Sequence, residues 1–199
     1  METALEGYHV TGLHPGTIAK FMPSSTSNFE ATSDQWTLFR LGTVYDGEFK
    51  VYKGIADTFP EIDQISAPQF GFFPNCAVSF GQMSSIWLTF LLVDVGYTRV
   101  IGGALTHPLL YEQMQDNLGL QEENAAAIDA INVQDGSAMV DLQRNAYSQY
   151  ATPGLLSEKE TCLLYFYRYL HQRLTAVSDQ GVIDIESRAI RIPTQQIND

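Results

Sequence analysis

Positive charge is the scarcest property of this sequence. The 199 residues include 11 Lys and Arg but 23 Asp and Glu, which gives a formal net charge of −12. Non-specific binding to nucleic acid requires clustered Lys and Arg that displace counterions, and anionic membranes attract the same residues. The composition therefore argues against direct nucleic-acid binding and against attachment to such a membrane. One short strip that mixes aromatic and basic residues, Tyr165–Arg173, does not reverse this conclusion.

The longest gap in positive charge lies in the second half of the chain. No Lys or Arg occurs between Arg99 and Arg144. The acidic residues of this region are Glu112, Asp116, Glu122, Glu123, Asp129, Asp135 and Asp141. The simplest interpretation is a solvated helical surface that keeps the protein soluble. The alternatives are a docking face for a basic partner or a loose site for a divalent cation.

Cysteine and long apolar segments are also scarce. Cys76 and Cys162 are far apart and cannot form a disulfide framework. The longest apolar run, Ile86–Val95, is about half of the roughly 20 residues that a membrane helix needs. The first ten residues lack the basic and apolar regions of a secretory signal. We therefore expect a protein without a membrane span that is made and kept in a reducing compartment.

Motifs for catalysis and cofactor binding are missing as well. The sequence contains neither G-x-x-x-x-G-K-[ST] nor G-x-G-x-x-G, which bind nucleotide phosphates. Its histidines are scattered, and no cysteine accompanies the pair that is closest in sequence. Cys76 has no activating base beside it. The sequence thus predicts no catalytic residue, no cofactor and no metal. We do not expect metal binding by any of the four histidines, His9, His14, His107 and His171.

The residues that are present divide the chain into three parts. Residues 1–34 carry Pro, Gly and a Ser/Thr/Asn cluster without a sustained period, which predicts an extended arm that either packs on its own domain or reaches another subunit. Residues 35–181 form a single α+β domain, and residues 182–199 form a strand-like tail. Asp46-Gly47 between two runs rich in Val, Tyr and Phe predicts a β-hairpin. Residues 84–95 fit a buried central strand, with residues 97–105 as its partner or its continuation, although a short buried helix fits residues 84–95 almost as well.

The second half of the domain has helical patterns. A first helix follows Thr106 and stops at Gly119, a second ends at Asp135-Gly136, and a third ends at Pro153-Gly154. A fourth begins at the capping-box pair Ser157 and Glu160 and runs to about Ser178. The predicted fold class is α+β, with a small antiparallel sheet from the N-terminal half and about four helices in the C-terminal half.

The sequence favours a structural function. Low charge, an apolar arm, a strand-like tail and the lack of catalytic motifs are typical of a subunit of a large assembly, such as a virion or phage component (capsid, decoration, neck or tail). Its partners would be copies of itself and other subunits, in the virion or the host cytoplasm. The expected interface residues are Leu13, Ile18, Phe21, Phe29, Tyr167, Leu170, Leu174, Val177, Ile190 and Ile192.

Two other functions stay open. The first is a small cytosolic enzyme of unfamiliar type that uses Cys76 or a histidine. The second is an acidic adaptor that binds a basic partner protein. A pocket that gathers Cys76 and a histidine would favour the enzyme, whereas strongly salt-dependent binding without self-assembly would favour the adaptor.

Overall fold

An antiparallel sheet forms the centre of the structure, a computed structural model that describes residues 1–44, 58–81, 84–115 and 117–178. Six strands within these residues follow one another in chain order from one edge of the sheet to the other. They are β1 (Ser27–Thr32), β2 (Trp36–Gly42), β3 (Ser66–Phe72), β4 (Cys76–Phe80), β5 (Ser84–Asp94) and β6 (Tyr97–Thr106). The predicted antiparallel sheet is confirmed, and Ser84–Asp94 form a strand that pairs with β6. The prediction that this strand is buried was wrong for its last four residues, which are exposed.

One row of directly paired residues crosses five of the strands and defines the face of the sheet that matters for function. Residues opposite each other in antiparallel strands place their side chains on the same face. The row contains Phe39, Gln69, Ser79, Ile86 and Ala104. All five residues line one cavity. We call this face of the sheet the inner face.

Five helices accompany the sheet in the described residues. They are α1 (Val10–Leu13), α2 (Glu61–Gln64), α3 (Pro108–Gln115), α4 (Leu118–Ala146) and α5 (Thr161–Ser178). The α+β class is therefore confirmed. The last helix packs on the β2 end of the inner face, where its Phe166 joins one apolar core with Phe39 and Leu41. Helix α4 lies over the rest of the inner face and lines the cavity from the opposite side.

The prediction of two helices separated at Asp135-Gly136 was wrong. Helix α4 is continuous over 29 residues and passes through both positions. A single Gly costs a helix only about 1 kcal/mol relative to Ala, and helix propagation is cooperative. The good helix formers on both sides therefore carry the helix through this pair. The predicted helix stop at Gly119 was also wrong. Helix α3 already ends at Gln115, and Gly119 lies in the first turn of α4.

Residues 1–34, expected to form an extended arm, are folded onto their own domain. They form short helical turns, α1 and the edge strand β1. Leu5 and Val10 are fully buried in the core beside Phe39 and Phe166. Of the residues of this segment that were expected at an interface, Ile18 packs against the same core.

Helix α5 begins where its capping-box spacing predicts. The backbone N–H of Ser157 donates to the Glu160 carboxylate at 2.9 Å, and the helix follows at Thr161. Of the residues expected at an interface, Tyr167 and Leu170 pack against the core, while Leu174 and Phe29 are exposed. An interface at these residues stays a prediction.

Several predictions lie outside the described residues. They are the hairpin at Asp46-Gly47, the tail at residues 182–199 with Ile190 and Ile192, and the side chain of Val177. None of the helices in the described part of the chain combines the length and the apolar character needed to cross a membrane.

Candidate metal centre

Three side chains with metal-binding atoms converge on the wall of the cavity. They are His9, His14 and Asp135, whose ligand atoms all lie within 4.8 Å of one another. His9 directly precedes α1 and His14 directly follows it, so that a single helical turn brings the two rings together. Their ring centroids are 5.4 Å apart. Asp135 comes from α4, 121 residues further along the chain, and its Oδ1 lies 3.1 Å from Nε2 of His14.

His9 is held by a buried carboxylate. Glu6 accepts hydrogen bonds from the backbone N–H of His9 at 3.0 Å and from its Nδ1 at 2.5 Å. Burial alone lowers the pKa of His9, but the hydrogen bond to Glu6 and the negative charges of Glu6 and Asp135 outweigh it, so the pKa is raised overall. The environment of His9 therefore favours positive charge at this point.

His14 is held by a neutral acceptor. It is completely buried, and its Nδ1 lies 2.7 Å from Oε1 of Gln134. The same oxygen accepts a hydrogen bond from the hydroxyl of Thr17 at 3.1 Å. Carboxylate and amide oxygens only accept, so Glu6 and Gln134 favour the tautomer with the hydrogen on Nδ1 in His9 and His14. Each neutral ring then presents an unprotonated Nε2, and the Nε2 atoms of His9 and His14 lie 3.9 and 3.1 Å from Oδ1 of Asp135.

This donor set fits a metal cation. Two nitrogen lone pairs and one carboxylate oxygen that face one another repel unless a proton or a cation lies between them. Two ligand atoms bound to one ion are about 3–4 Å apart, close to the separations observed here. The acceptors Glu6 and Gln134 on the opposite nitrogens are the supporting contacts that metal-binding histidines ordinarily have. The residues therefore match a cation bound by two histidines and one carboxylate.

A cavity of about 570 Å³ adjoins the donor atoms. The inner face of the sheet forms one wall, and α4 forms the other. Apart from Glu6, His9, His14 and Asp135, most of the lining is apolar, with contributions from Leu88, Phe90, Val100, Ile128, Ile131 and Met139. This volume falls in the range of small-molecule sites, which combine apolar walls with a few polar groups.

The other residues singled out in the sequence do not join this centre. Cys76 in β4 is half-buried and, among the described residues, is not part of the cavity lining or the donor group. His107 contacts Phe59, and His171 is exposed on α5. Gly102 and Gly103 do line the cavity, on β6. Sequence reasoning missed the centre because its third ligand is remote in sequence. The available signal was a pair of histidines, five residues apart, around a short helical segment.

Comparison with known proteins assigns the chain to a family. The family model described as "Ring hydroxylating alpha subunit (catalytic domain)" matches residues 1–176, which include all three donors. The chain belongs to the ring-hydroxylating alpha subunit family. The predictions of a non-enzymatic function and of a virion or phage subunit were therefore wrong, because this family is defined by a catalytic domain. Virion localisation and phage subunits as partners find no support in this assignment. No sequence among the curated proteins matches closely enough to add to this assignment.

Solved structures support the fold of a ring-hydroxylating alpha subunit. One is a quaternary ammonium Rieske monooxygenase, studied for carnitine oxidation by gut microbiota and for inter-subunit electron transfer, with a TM-score of 0.60 and 18% identity. A second is the quaternary ammonium Rieske monooxygenase CntA bound to an inhibitor, with a TM-score of 0.56 and 18% identity. The matches cover 86% of this chain but only 45% and 44% of those chains. At this identity the likeness concerns the fold.

Proposed function

We propose that this chain is the oxygen-activating domain of a non-haem iron oxygenase that hydroxylates an apolar organic substrate. The observation that carries the proposal is the convergence of His9, His14 and Asp135 on the wall of an apolar cavity. Two histidines and one carboxylate on one side of a metal are the ligand set of non-haem Fe(II) oxygenases, in which the remaining positions stay open for O₂ activation. The family assignment supports the same reading.

The chain's own residues orient the ligands. Glu6 and Gln134 keep a hydrogen on Nδ1 of His9 and His14, so that both rings offer Nε2 to the ion. Glu6 also accepts from the backbone of His9, which fixes the start of α1. Thr17 donates to the acceptor oxygen of Gln134 and limits its rotation. These contacts preorganise the donor set before any ion binds.

The cavity walls bind the substrate and exclude water. Aliphatic side chains of β5, β6 and α4 give the substrate an apolar surface, and its burial there is favourable at roughly 25 cal/mol per Å² of apolar area. Excluding water strengthens the electrostatic interactions between the three ligands and a bound cation. The walls thus bring a C–H bond of the substrate next to the three ligands.

Hydroxylation needs an external source of electrons. Conversion of one C–H bond to C–OH by O₂ consumes two electrons and two protons, places one oxygen atom in the product and releases the other as water. We assign the electron supply to an iron–sulfur protein or domain, in line with the Rieske monooxygenases that share the fold. Inter-subunit electron transfer in one of these monooxygenases also supports association of this chain with copies of itself.

Metal titration tests the proposal directly. The full chain, titrated anaerobically with Fe²⁺ and separately with Co²⁺, is expected to bind one ion, and His14→Ala or Asp135→Ala should lose that binding. His171→Ala and Asp141→Ala are matched controls, since both residues are exposed, and Asp141 lies on the same helix as Asp135. Equal metal affinity in all four variants, or no binding by the wild type, would contradict the proposal.

Turnover provides the second measurement. The Fe²⁺-loaded chain, reduced chemically in the presence of ¹⁸O₂ and naphthalene, should yield a hydroxylated product that contains ¹⁸O. The Asp135→Ala variant should yield none, while Asp141→Ala should match the wild type. Product without ¹⁸O would show that the oxygen comes from water and would exclude an oxygenase.

A further inference from the structure

Two polar side chains interrupt the wall that the sheet contributes to the cavity. They are Gln69 of β3 and Ser79 of β4, which belong to the row of paired residues on the inner face. Every other cavity-lining residue of the described strands is apolar or glycine. A few placed polar groups in an otherwise apolar cavity ordinarily fix the orientation of a ligand. The pair is therefore the part of the sheet wall that can select a ligand by its polar groups.

Gln69 and Ser79 are close enough to act together. They lie directly opposite each other in the antiparallel pair of β3 and β4. The Cβ atoms of such a pair are about 4.5–5.5 Å apart, and the two side chains stand on the same face of the sheet. Both residues are half-buried and line the cavity. One group of a bound molecule can therefore reach both side chains.

The fold uses little of the hydrogen-bonding capacity of this pair. The side-chain N–H of Gln69 donates to the carbonyl oxygen of Ala67 at 3.2 Å, which leaves Oε1 of Gln69 available as an acceptor. The hydroxyl of Ser79 has no hydrogen-bond partner among the residues that the structure describes. Its paired neighbour on β5 is the apolar Ile86, so packing of the sheet does not require a hydroxyl at Ser79.

The two available groups are complementary to a hydroxyl. A hydroxyl both donates and accepts, so it can donate to Oε1 of Gln69 while it accepts from the O–H of Ser79. We propose that Gln69 and Ser79 determine specificity by binding an uncharged hydroxyl group of the substrate against the sheet, on the wall opposite α4. This inference rests on the proposed function, because it assigns the cavity to the substrate.

The charges of the cavity favour a neutral group over an acid. The carboxylates of Glu6 and Asp135 line the same cavity, whereas none of its lining residues in the described part of the chain is Lys or Arg. A carboxylate on the substrate would therefore meet like charge without a cation to pair with. A hydroxyl meets no such repulsion.

Two probes of similar shape test the inference through binding. Benzyl alcohol carries a hydroxyl where ethylbenzene carries a methyl group, and both are titrated calorimetrically into the full chain. In Ser79→Ala and in Gln69→Met the affinity for benzyl alcohol should fall by about threefold to tenfold, because each variant loses one hydrogen bond. The affinity for ethylbenzene should stay within about twofold of the wild type, since it makes neither bond.

Ser84→Ala is the matched control for Ser79→Ala. Ser84 is also half-buried in a strand of the sheet, but it does not line the cavity. Its variant should bind both probes as the wild type does. Ser79→Thr keeps the hydroxyl and suits a strand, so its affinity for benzyl alcohol should stay within about threefold of the wild type. Equal losses in Ser79→Ala and Ser79→Thr would show that packing at this position, and not the hydroxyl, controls binding.

The outcomes separate this inference from the proposed function. Equal losses for both probes, unchanged affinity for benzyl alcohol in Ser79→Ala and Gln69→Met, or no binding of benzyl alcohol by the wild type would overturn the hydroxyl site. Co²⁺ affinity, measured on the same samples, should stay within about threefold of the wild type, because neither residue is a ligand or supports one. A wild-type chain that binds benzyl alcohol through this pair but binds no Co²⁺ would reject the metal centre and leave the hydroxyl site in place.

Discussion

Oε1 of Gln134 lies 2.7 Å from Nδ1 of His14, so one helix holds both ends of a single imidazole ring. The next residue of α4, Asp135, approaches the opposite nitrogen of the same ring at 3.1 Å. Successive residues of a helix point about 100° apart, yet both side chains reach His14 because its ring lies against the helix surface. The position of His14 is therefore fixed by α4 before a metal arrives.

This contact predicts that Gln134→Met weakens metal binding. Methionine has a similar length but offers no good acceptor to Nδ1 of His14, so the ring loses its fixed orientation and tautomer. Loss of such a supporting hydrogen bond costs about 10–100-fold in metal affinity. The affinity for Co²⁺ should fall by this factor, whereas Gln143→Met, at an exposed position of the same helix, should leave it unchanged.

The conservative variant Gln134→Glu separates positioning from packing. A carboxylate still accepts from Nδ1 of His14 and from Thr17, so metal affinity should stay within about threefold of the wild type. Equal losses of Co²⁺ affinity in Gln134→Met and Gln134→Glu would show that the hydrogen-bond acceptor for Nδ1 of His14 does not control metal binding. The visible absorption spectrum of bound Co²⁺ gives an independent readout, because it reports ligand geometry.

The two cysteines should differ in reactivity. Burial raises the pKa of Cys162 to about 11, despite a hydrogen bond with Thr37 that lowers it. Since the thiolate is the reactive form, iodoacetamide at pH 8 should modify Cys162 at least about a hundredfold more slowly than the partly exposed Cys76. Peptide mass spectrometry gives both rates, and unfolding in urea should make them equal. Comparable rates in the folded chain would contradict the burial of Cys162.

The core under α5 should depend on Phe166. This side chain is buried among Leu5, Phe39 and Leu163, and Phe→Ala in such a site costs about 3–5 kcal/mol. Urea unfolding of Phe166→Ala should show this loss. Leu174→Ala, on the same helix but 48% exposed, should change stability by no more than about 0.5 kcal/mol. If Leu174 instead belongs to an interface between copies, light scattering should show its variant as less associated.

The parts of the fold that depend on local signals were predictable from sequence. The Ser157 and Glu160 pair marked the start of α5, because a capping box involves only neighbouring residues. The run Ile86–Val95 favoured a strand only slightly over a helix, and the structure forms β5 there, with the segment after it as its partner β6. Asp135-Gly136 was taken for a helix stop, since turn propensity is a weak preference that a long helix overrides.

The candidate site was not predictable in the same way. His9 and His14 were visible as a pair, but no local pattern marks Asp135, one of several acids between Arg99 and Arg144, as their partner. Only the packing of α4 against α1 joins them. The virion hypothesis failed for a related reason. Apolar residues of the first segment, such as Leu5 and Val10, were available for either a partner or the chain's own core, and the structure uses them in the core.

The contact between Leu5 and Gly71 yields the last prediction. Leu5 is fully buried and lies over Gly71 of β3, where an added Cβ would fall 2.0 Å from its Cδ2 and 3.1 Å from Oγ1 of Thr37. Leu5 has no solvent-facing space into which it could turn. Gly71→Ala should therefore cost about 1–3 kcal/mol, which lowers the Tm by several degrees in a chain of this size.

Gly16→Ala is the matched control, because no described atom lies within 4 Å of its added Cβ and Gly16 is exposed. Its Tm should stay within about 1–2 °C of the wild type. Since Leu5 directly precedes Glu6, displacement of Leu5 should also disturb the hydrogen bonds from His9 to Glu6. Gly71→Ala should consequently weaken Co²⁺ binding, although Gly71 is not a ligand. Full stability together with normal Co²⁺ affinity would show that the first segment is not locked onto β3 through Leu5.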